Sequence, residues 1–230
     1  MNVLIVGASR GLGLGFADAL RARGATVFGA SRTAGSGPHA LQLDVTDEAS
    51  VAAAAARLGG LGIALDLILV TSGMLHEAGH TPEKSLRQVD PHRMLRSFAV
   101  NTVGPLLVAK HFLPLMVKSR PRFVVLSARV GSVGDNRLGG WYGYRASKAA
   151  LNMCVRNVAI ELERRGGGGV AMLLHPGTVA TELSQPFADA RHHRVFTVEE
   201  AVGFLLPLID AATAAESGRF FAWDGAEIPW

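Results

Sequence analysis

The chain has 230 residues, of which 49% are apolar and 18% charged, so it is long enough for one substantial core and too apolar for a disordered protein. No apolar run reaches the ~18 residues of a membrane span, and the net charge of +4 comes without a basic stripe interleaved with aromatics, so neither a membrane nor a nucleic acid is expected as a partner. Cys154 is the single cysteine, which excludes a disulfide framework and indicates a cytoplasmic protein.

The first half of the chain alternates short apolar runs with amphipathic stretches. The runs NVLIVG, ATVFGA, ALQLDV and ALDLILVTSG have the character of buried strands, and the first of them begins at the N-terminus in place of a signal peptide. Helices are predicted for GLGFADALRARG and for TDEASVAAAAARLGG, whose first turn is acidic where the helix dipole favours negative charge.

The second half continues this alternation. A long helical segment follows Asp90-Pro91, a pair typical of an N-cap and the first helical position. Three more strands are predicted for PRFVVLSA, GVAMLLHPG and GRFFAWDG, and TVEE at 197–200 has the form of a capping box at the start of a last helix. Strands separated by helices pair in parallel through right-handed crossovers. We therefore expect one α/β domain over residues 1–230, a Rossmann-like doubly wound parallel sheet of about seven strands with helices on both faces.

The first strand leads into a glycine-rich turn, VGASRGLGLG. Gly7, Gly11 and Gly13 form the pattern G-x-x-x-G-x-G, in which one glycine permits a sharp turn, one the close approach of a diphosphate, and one helix–strand packing. The alternatives are a turn that binds nothing and, because residues 7–11 also spell G-x-S-x-G, a hydrolase nucleophile elbow at Ser9. The elbow is disfavoured because such an elbow needs strands before it in the chain.

A zinc motif, H-E-x-x-H, is matched by HEAGH at residues 76–80. Two histidines four residues apart meet on one face only in a helix. A glycine inside the motif and Pro82 just after it favour a loop, so we predict no metal site.

The junction after the second strand, FGASRT, bears on the choice of nicotinamide cofactor. NAD-binding folds place an acidic residue there to bind the ribose 2′-hydroxyl, whereas this chain has Ser31 and Arg32, with Arg10 in the glycine loop. Guanidinium groups pair with a 2′-phosphate, so the sequence predicts NADP(H) over NAD(H). Asp44 at the end of the third strand is expected on the adenine side or, alternatively, as a helix N-terminal acid.

Tyr144 and Lys148 lie four residues apart in WYGYRASKAALN and therefore share one face of the predicted helix, whereas Tyr142 points elsewhere. An ammonium ~4 Å from a phenol favours the phenolate by at most about 4 kcal/mol at an effective dielectric of ~20. We expect Lys148 to lower the pKa of Tyr144, so that the phenol exchanges a proton with a carbonyl oxygen as hydride is transferred.

These motifs together resemble the short-chain dehydrogenase/reductase family over nearly the whole chain. The marks are the glycine pattern, the Asn of VNTVG, Tyr-x-x-x-Lys and HPGTVAT, in that order. The stretches SARVGSVGDNRLGGWYGYRASKAALN and WDGAEIPW resemble more narrowly the C-factor-like, carbonyl-reductase-related branch of this family. The resemblance implies that Tyr144 is the general acid/base, that Lys148 lowers its pKa and binds the nicotinamide ribose, and that Asn101 holds a relay water. A helix-kink hydrogen bond is the alternative role for Asn101. Thr181 and the backbone near Val179 would orient the nicotinamide carboxamide. The full set expected to bind the cofactor is Gly7, Ser9, Arg10, Gly11, Leu12, Gly13, Ser31, Arg32, Asp44, Val45, Ser72, Gly73, Tyr144, Lys148, Pro176, Gly177, Val179 and Thr181.

Two positions depart from the family pattern. Thr71 in VTSG replaces an Asn, and Ala128 in SARVG replaces the serine that binds the substrate oxygen. Losing one such donor typically costs ~10²–10³ in rate. Ser127 and Ser132 are the candidates to replace it, and the sequence does not choose between them.

The leading hypothesis is an NADP(H)-dependent oxidoreductase that interconverts a small carbonyl compound and an alcohol. The alternative is a cofactor-binding sensor or signalling protein with weakened catalysis, which is suggested by Ala128 in place of the usual serine. The segment between Thr181 and Thr197, with FADARHHR, suggests a small or open pocket for polar or anionic groups. By analogy with the family, the helical residues 91–118 and 144–164 are expected to form a homodimer or homotetramer.

Overall fold

The computed structural model describes residues 1–33, 35–77, 81–184 and 194–230. Its strands are β1 (Asn2–Val6), β2 (Thr26–Ser31), β3 (Ala40–Gln42), β4 (Leu67–Val70), β5 (Arg122–Leu126), β6 (Val170–His175), β7 (Thr178–Val179), β8 (Val195–Phe196) and β9 (Phe220–Ala222). Within the described residues, seven of them form one parallel sheet in the order β3-β2-β1-β4-β5-β6-β9. The predicted doubly wound sheet is thereby confirmed.

The helices connect these strands across both faces of the sheet. They are α1 (Gly11–Ala22), α2 (Glu48–Gly60), α3 (Pro91–Phe98), α4 (Gly104–Phe112), α5 (Tyr142–Arg165) and α6 (Val198–Ala211). A π-helical turn, Ala99–Val103, joins α3 to α4, so the long helical segment predicted after Pro91 is present but locally widened.

Two apolar cores lie on opposite faces of the sheet, as the fully apolar strands require. In β1, Val3 and Ile5 belong to one core and Leu4 and Val6 to the other, because successive side chains of a strand point to opposite faces. Helices α1 and α6 cover the first core, and α2, α4 and α5 cover the second.

The predicted helix starts are confirmed. Asp90 accepts a hydrogen bond from the Arg93 backbone N–H at 2.9 Å, with Pro91 as the first residue of α3. At α6, Thr197 Oγ1 accepts from the Glu200 N–H at 3.1 Å and the Glu200 carboxylate accepts from the Thr197 N–H at 2.9 Å. The short pair β7 and β8 was not predicted, since two residues carry no recognisable alternation.

The segment Pro91–Leu115 meets the length and composition of a membrane span, although 44% of its most apolar window is buried within the fold. Val108 and Phe112 of this segment are fully buried in the core shared with α2 and α5. Their burial is that of a core helix in a globular protein.

Parallel strands place their carboxyl ends at one edge of the sheet, and in doubly wound folds ligands bind there. Six strands bring predicted site segments to this edge. They are β1 with the glycine loop, β2 with Ser31 and Arg32, β3 with Asp44 and Val45, β4 with Ser72 and Gly73, β5 with Ser127 and Ala128, and β6 with Pro176 and Gly177.

Candidate active site

The glycine loop has two positions that only glycine can occupy. Gly7 has φ 97°, and a Cβ there would lie 2.8 Å from Thr71 Oγ1 and 2.9 Å from the backbone nitrogen of Ser72. A Cβ on Gly13 would lie 2.1 Å from the carbonyl oxygen of Gly7. The start of α1 therefore packs directly on the end of β1, the close helix–strand approach that the glycine pattern predicts.

Thr71, which replaces the usual Asn, ties β4 to this loop. Its hydroxyl donates to the carbonyl oxygen of Val6 at 2.9 Å, and its backbone N–H donates to the same oxygen at 2.9 Å. The substitution thus leaves a direct link between the glycine loop and the neighbouring strand.

Ser72 and Gly73 follow Thr71 at the carboxyl end of β4. The hydroxyl of Ser72 is buried and has no hydrogen-bond partner among the residues that the structure describes. A Cβ on Gly73 would lie 3.6 Å from Asn101 Oδ1 and 3.7 Å from Lys148 Nζ. Glycine at this position leaves room beside the lysine, and the unsatisfied serine hydroxyl is an unused donor at the same edge.

Tyr144 and Lys148 are both buried on one face of α5, with Lys148 Nζ 5.9 Å from the centroid of the tyrosine ring. The lysine donates a hydrogen bond to the carbonyl oxygen of Leu126 at 3.0 Å. Burial lowers the pKa of Lys148 to about 8. Trp141 packs edge-on against the Tyr144 ring at 6.2 Å between centroids.

The expected direction of the Tyr144 pKa is wrong in this arrangement. Burial raises the pKa of the Tyr144 phenol above its ordinary value, because removing a phenolate from water is costly. Desolvation is the cause of this rise, and the hydrogen bond of the Lys148 ammonium is made to the Leu126 carbonyl oxygen. The Tyr144 phenol is therefore neutral at pH 7.

Asn101 lies in the π-helical turn and bridges two segments of the site. Its Oδ1 accepts from the Met74 N–H at 2.8 Å, and its Nδ2 donates to the Met74 carbonyl oxygen at 2.8 Å and to Ser147 Oγ at 3.0 Å. Ser147 in turn donates to the Tyr144 carbonyl oxygen at 2.8 Å. In this structure the Asn101 side chain thus links the β4 loop to α5, and these hydrogen bonds differ from the helix-kink hydrogen bond that was the alternative role expected for it.

Ser127 and Ser132 are the candidates to supply the hydroxyl that is missing at Ala128, and Ser127 is engaged elsewhere. Its hydroxyl donates to Asn152 Oδ1 at 2.7 Å, and Asn152 lies eight residues beyond Tyr144, about 12 Å along the helix. Ser132 accepts from the Asp135 N–H at 3.0 Å, so its own proton is available to another acceptor. Gly131, next to it, packs so tightly on Lys148 that a Cβ there would lie 2.7 Å from the lysine Cβ.

The basic residues predicted to bind a 2′-phosphate are at the surface. Arg32 is exposed after β2, and Ser31 donates to the Thr33 carbonyl oxygen at 2.7 Å. Arg10 forms an ion pair with Glu182, which follows Thr181. The carboxylate of Asp44 accepts from the backbone N–H and hydroxyl of Thr46, and these hydrogen bonds lower its pKa.

The loop after β6 closes the other side of the cleft. A Cβ on Gly177 (φ 78°) would lie 2.6 Å from the Phe196 ring, so glycine is needed for this turn. A Cβ on Gly11 would lie 3.4 Å from Thr181 Cγ2, which places Thr181 directly opposite the glycine loop. The structure thus brings together the glycine loop, Thr181, and the two catalytic candidates at one edge of the sheet.

Two buried groups at the site have no counterpart in the sequence patterns. Glu83 is 7% exposed and reaches the start of α5. His175 has a buried Nδ1 that no described residue hydrogen-bonds. Burial and the nearby Arg129 lower the pKa of His175 to about 4, against a smaller opposing effect of Asp224. The one signal for Glu83 was Gly143, because a glycine in the first turn of a helix often marks a close approach.

The HEAGH segment is only partly described, since His80 lies outside the described residues together with most of FADARHHR. His76 Nε2 lies 3.2 Å from the Glu182 carbonyl oxygen. Among the residues that the structure describes, no three His, Cys, Asp or Glu side chains gather as metal ligands.

The sequence profile of the family described as short chain dehydrogenase matches residues 1–192. The chain therefore belongs to the short-chain dehydrogenase/reductase family and is an oxidoreductase.

Individual relatives indicate which members of the short-chain dehydrogenase/reductase family this chain resembles in sequence and structure. The 1-hydroxy-2-glutathionyl-2-methyl-3-butene dehydrogenase of Rhodococcus sp. (strain AD45) is 36% identical over 237 residues, covering 100% of this chain and 99% of the relative. The C-signal protein of Myxococcus xanthus is 40% identical over 147 residues, covering 64% of this chain and 84% of that protein. The NADPH-bound carbonyl reductase from chicken fatty liver matches with a TM-score of 0.86 at 29% identity, covering 100% of this chain and 94% of that structure. The resemblance to C-factor-like and carbonyl-reductase-related proteins is thereby confirmed.

Proposed function

We propose that the protein is an NADP(H)-dependent carbonyl reductase or alcohol dehydrogenase in which Tyr144 transfers the proton. The observation that carries the proposal is the burial of Tyr144 and Lys148 on one face of α5, beside Gly73, at the edge of the sheet where the glycine loop lies. This edge is where doubly wound folds bind ligands.

The residues present fit a nicotinamide dinucleotide. The glycine loop opens α1 at the edge of the sheet, a Cβ on Gly73 would lie 3.7 Å from Lys148 Nζ, and Ser72 beside it carries an unsatisfied hydroxyl. The glycine loop, Ser72, Gly73, Lys148 and Thr181 would hold the cofactor. When bound, NADPH supplies the hydride for the carbonyl carbon.

The chain's own residues supply the proton and the orientation. With its raised pKa, Tyr144 is protonated at neutral pH and donates its proton to the carbonyl oxygen, so that an alcohol forms. Asn101 and Ser147 fix the backbone of Tyr144. Ser132 is the remaining hydroxyl for the substrate oxygen, because Ser127 is bound to Asn152. In the reverse direction Tyr144 first loses its proton to solvent, and the resulting phenolate accepts the hydroxyl proton of the alcohol.

The preference for NADP(H) is supported by the basic junction after β2, where Ser31 and Arg32 stand in place of an acid, and by the NADPH-bound chicken relative. The measurement is kcat/KM with NADPH and NADH for the native chain and for Arg32→Glu. We expect the native chain to favour NADPH and the variant to lose that preference. Equal kcat/KM for both cofactors in the native chain would contradict the assignment.

The test of the chemistry uses Tyr144→Phe with Tyr142→Phe as the matched control on the same helix. The substrate panel should contain aldehydes and ketones and, because of the Rhodococcus relative, alcohols of glutathione conjugates. We expect Tyr144→Phe to lose at least ~10²-fold in kcat, the contribution typical of a general acid, with NADPH binding retained. Undiminished turnover in Tyr144→Phe would refute the role of the tyrosine.

The second candidate is a cofactor-binding signalling protein with weakened catalysis, and Ala128 is the observation that favours it. Tight NADPH binding without turnover of any compound in the panel would support it. We further propose a cytoplasmic protein that pairs through residues 91–118 and 144–164 as a homodimer or homotetramer. The exposed apolar side chains of Leu95 and Met153 on these helices support the pairing, and the molar mass by light scattering tests it.

A further inference from the structure

Helix α5, which carries Tyr144 and Lys148, starts at a residue that cannot cap it. Its N-cap is Trp141, with φ 51° and ψ 44°, and an indole has a donor but no acceptor for the helix N–H groups. The first turn of α5 contains no acidic residue. Helix N-termini normally receive an oxygen from Ser, Thr, Asp or Asn at this position, so the first N–H groups of α5 require an acceptor from elsewhere in the chain.

Glu83 supplies that acceptor from a distant segment. Its Oε2 accepts from the Gly143 N–H at 3.2 Å, and its backbone carbonyl oxygen accepts from the Trp141 N–H at 2.5 Å. The residue is 7% exposed. A carboxylate is favoured at this place because it also meets the positive end of the helix dipole.

Gly143 is the counterpart of this contact. A Cβ at position 143 would lie 3.1 Å from Glu83 Oε1 and 3.3 Å from Ser97 Oγ. Both distances are shorter than ordinary van der Waals contact, so a side chain at position 143 would push the carboxylate and the Ser97 hydroxyl away by a few tenths of an ångström. The glycine between the two tyrosines of WYGY therefore leaves the space that Glu83 occupies.

The same helical turn is held from inside by a second link, the hydrogen bond from Ser147 to the Tyr144 carbonyl oxygen. Tyr144 is the third residue of α5, where a helix frays most readily. The Ser147 bond fixes the carbonyl side of the turn, and Glu83 fixes its N–H side.

We propose that Glu83 is a positioning residue for the reaction, which fixes the first turn of α5 and thereby the location of the Tyr144 hydroxyl. Glu83 contacts the backbone of this turn and is not itself a catalytic residue. The inference rests on the proposed role of Tyr144 as the proton donor.

The experiment compares Glu83→Ala, Glu83→Gln and the control Asp47→Ala. Gln keeps an oxygen acceptor at the same reach, whereas Ala removes it. Asp47 caps α2 through the Ala49 N–H at 3.0 Å, so its loss is an equivalent cap deletion on a helix without Tyr144. The readouts are amide hydrogen exchange of residues 142–148, NADPH affinity by fluorescence, and kcat and KM on a substrate turned over by the native chain.

We expect exchange in residues 142–148 to be about fivefold faster in Glu83→Ala, as for loss of a typical N-cap, and unchanged in Asp47→Ala. Because a misplaced hydroxyl affects the chemical step, kcat should fall by roughly 10-fold or more while KM and NADPH affinity change less than about twofold. Glu83→Gln should recover most of kcat. If Glu83→Ala does not fold, Gly143→Ala serves in its place and should lower kcat in the same selective way.

Native kcat and native exchange in Glu83→Ala would overturn the inference, as would an equal loss of kcat in Asp47→Ala or no recovery in Glu83→Gln. The proposed function fails separately, since undiminished turnover in Tyr144→Phe would refute it whatever Glu83 does. Faster exchange in residues 142–148 can be measured without any substrate, so the cap itself is tested even if the reaction assigned to the enzyme is wrong.

Discussion

Replacing Lys148 by Met should stabilise the protein while it destroys activity. The ammonium is buried, and burial lowers its pKa from 10.5 to about 8. At ~1.36 kcal/mol per pKa unit, this difference of about 2.5 corresponds to about 3 kcal/mol of desolvation cost in the folded state. Methionine fills the space of the lysine stem without the charge. It leaves the Leu126 carbonyl oxygen without its 3.0 Å donor, which costs about 1 kcal/mol, so the expected net gain is about 2 kcal/mol.

The shifted pKa of Lys148 also predicts how the free energy of unfolding changes with pH. Below pH 8 the lysine is protonated in both the folded and the unfolded chain, so the folded state carries the whole cost. Between pH 8 and 10.5 the unfolded chain keeps its proton and the folded chain has lost it, so the free energy of unfolding of the native protein rises with pH. This contribution to the rise is absent in Lys148→Met.

The assay is urea unfolding without cofactor at pH 7.0 and pH 9.5, both below the titration of ordinary tyrosines. Lys110→Met is the matched control, because that lysine is 63% exposed and bonded to Glu48 on the surface. We expect no gain in stability from the control. A Lys148→Met protein that is less stable than the native chain at pH 7.0 would refute the reasoning, since burial of the charge would then not be a net cost.

Three further predictions concern the cleft and one helix end. Ala128→Ser adds a hydroxyl at the end of β5 and should leave kcat nearly unchanged in steady-state assays, because Ser132 is assigned to the substrate oxygen; a rise of ~10²-fold would show that Ser132 does not serve it. Gly13→Ala places a Cβ 2.1 Å from the carbonyl oxygen of Gly7. It should raise the Kd for NADPH at least ~10-fold and lower the free energy of unfolding by about 1–3 kcal/mol. Its control is Gly203→Ala, where a Cβ meets nothing within 4 Å and fluorescence titration should show native affinity. Thr197→Ala removes the capping box of α6 and should lower the free energy of unfolding by about 1 kcal/mol in urea; no change would show that the helix end is held by other contacts.

The sequence alone determined the features that depend on local pattern. The apolar runs predicted the strands of the sheet, and the spacing of Tyr144 and Lys148 placed both on one face of α5. The glycine loop was readable for the same reason, since a backbone that must approach another backbone closely admits glycine only. Such features depend on neighbours within about one turn or one strand, which the sequence states directly.

The tertiary structure decided what depends on distant residues or on burial. The cap on α5 comes from Glu83, 60 residues away from Gly143, and the Ser127 hydroxyl binds Asn152. Neither pair is separated by a number of residues that a sequence pattern could have revealed. The pKa of Tyr144 was expected to fall and instead is raised. The physical reason is that desolvation depends on how completely the fold excludes water from the phenol, and that quantity exists only once the helix has packed against the sheet.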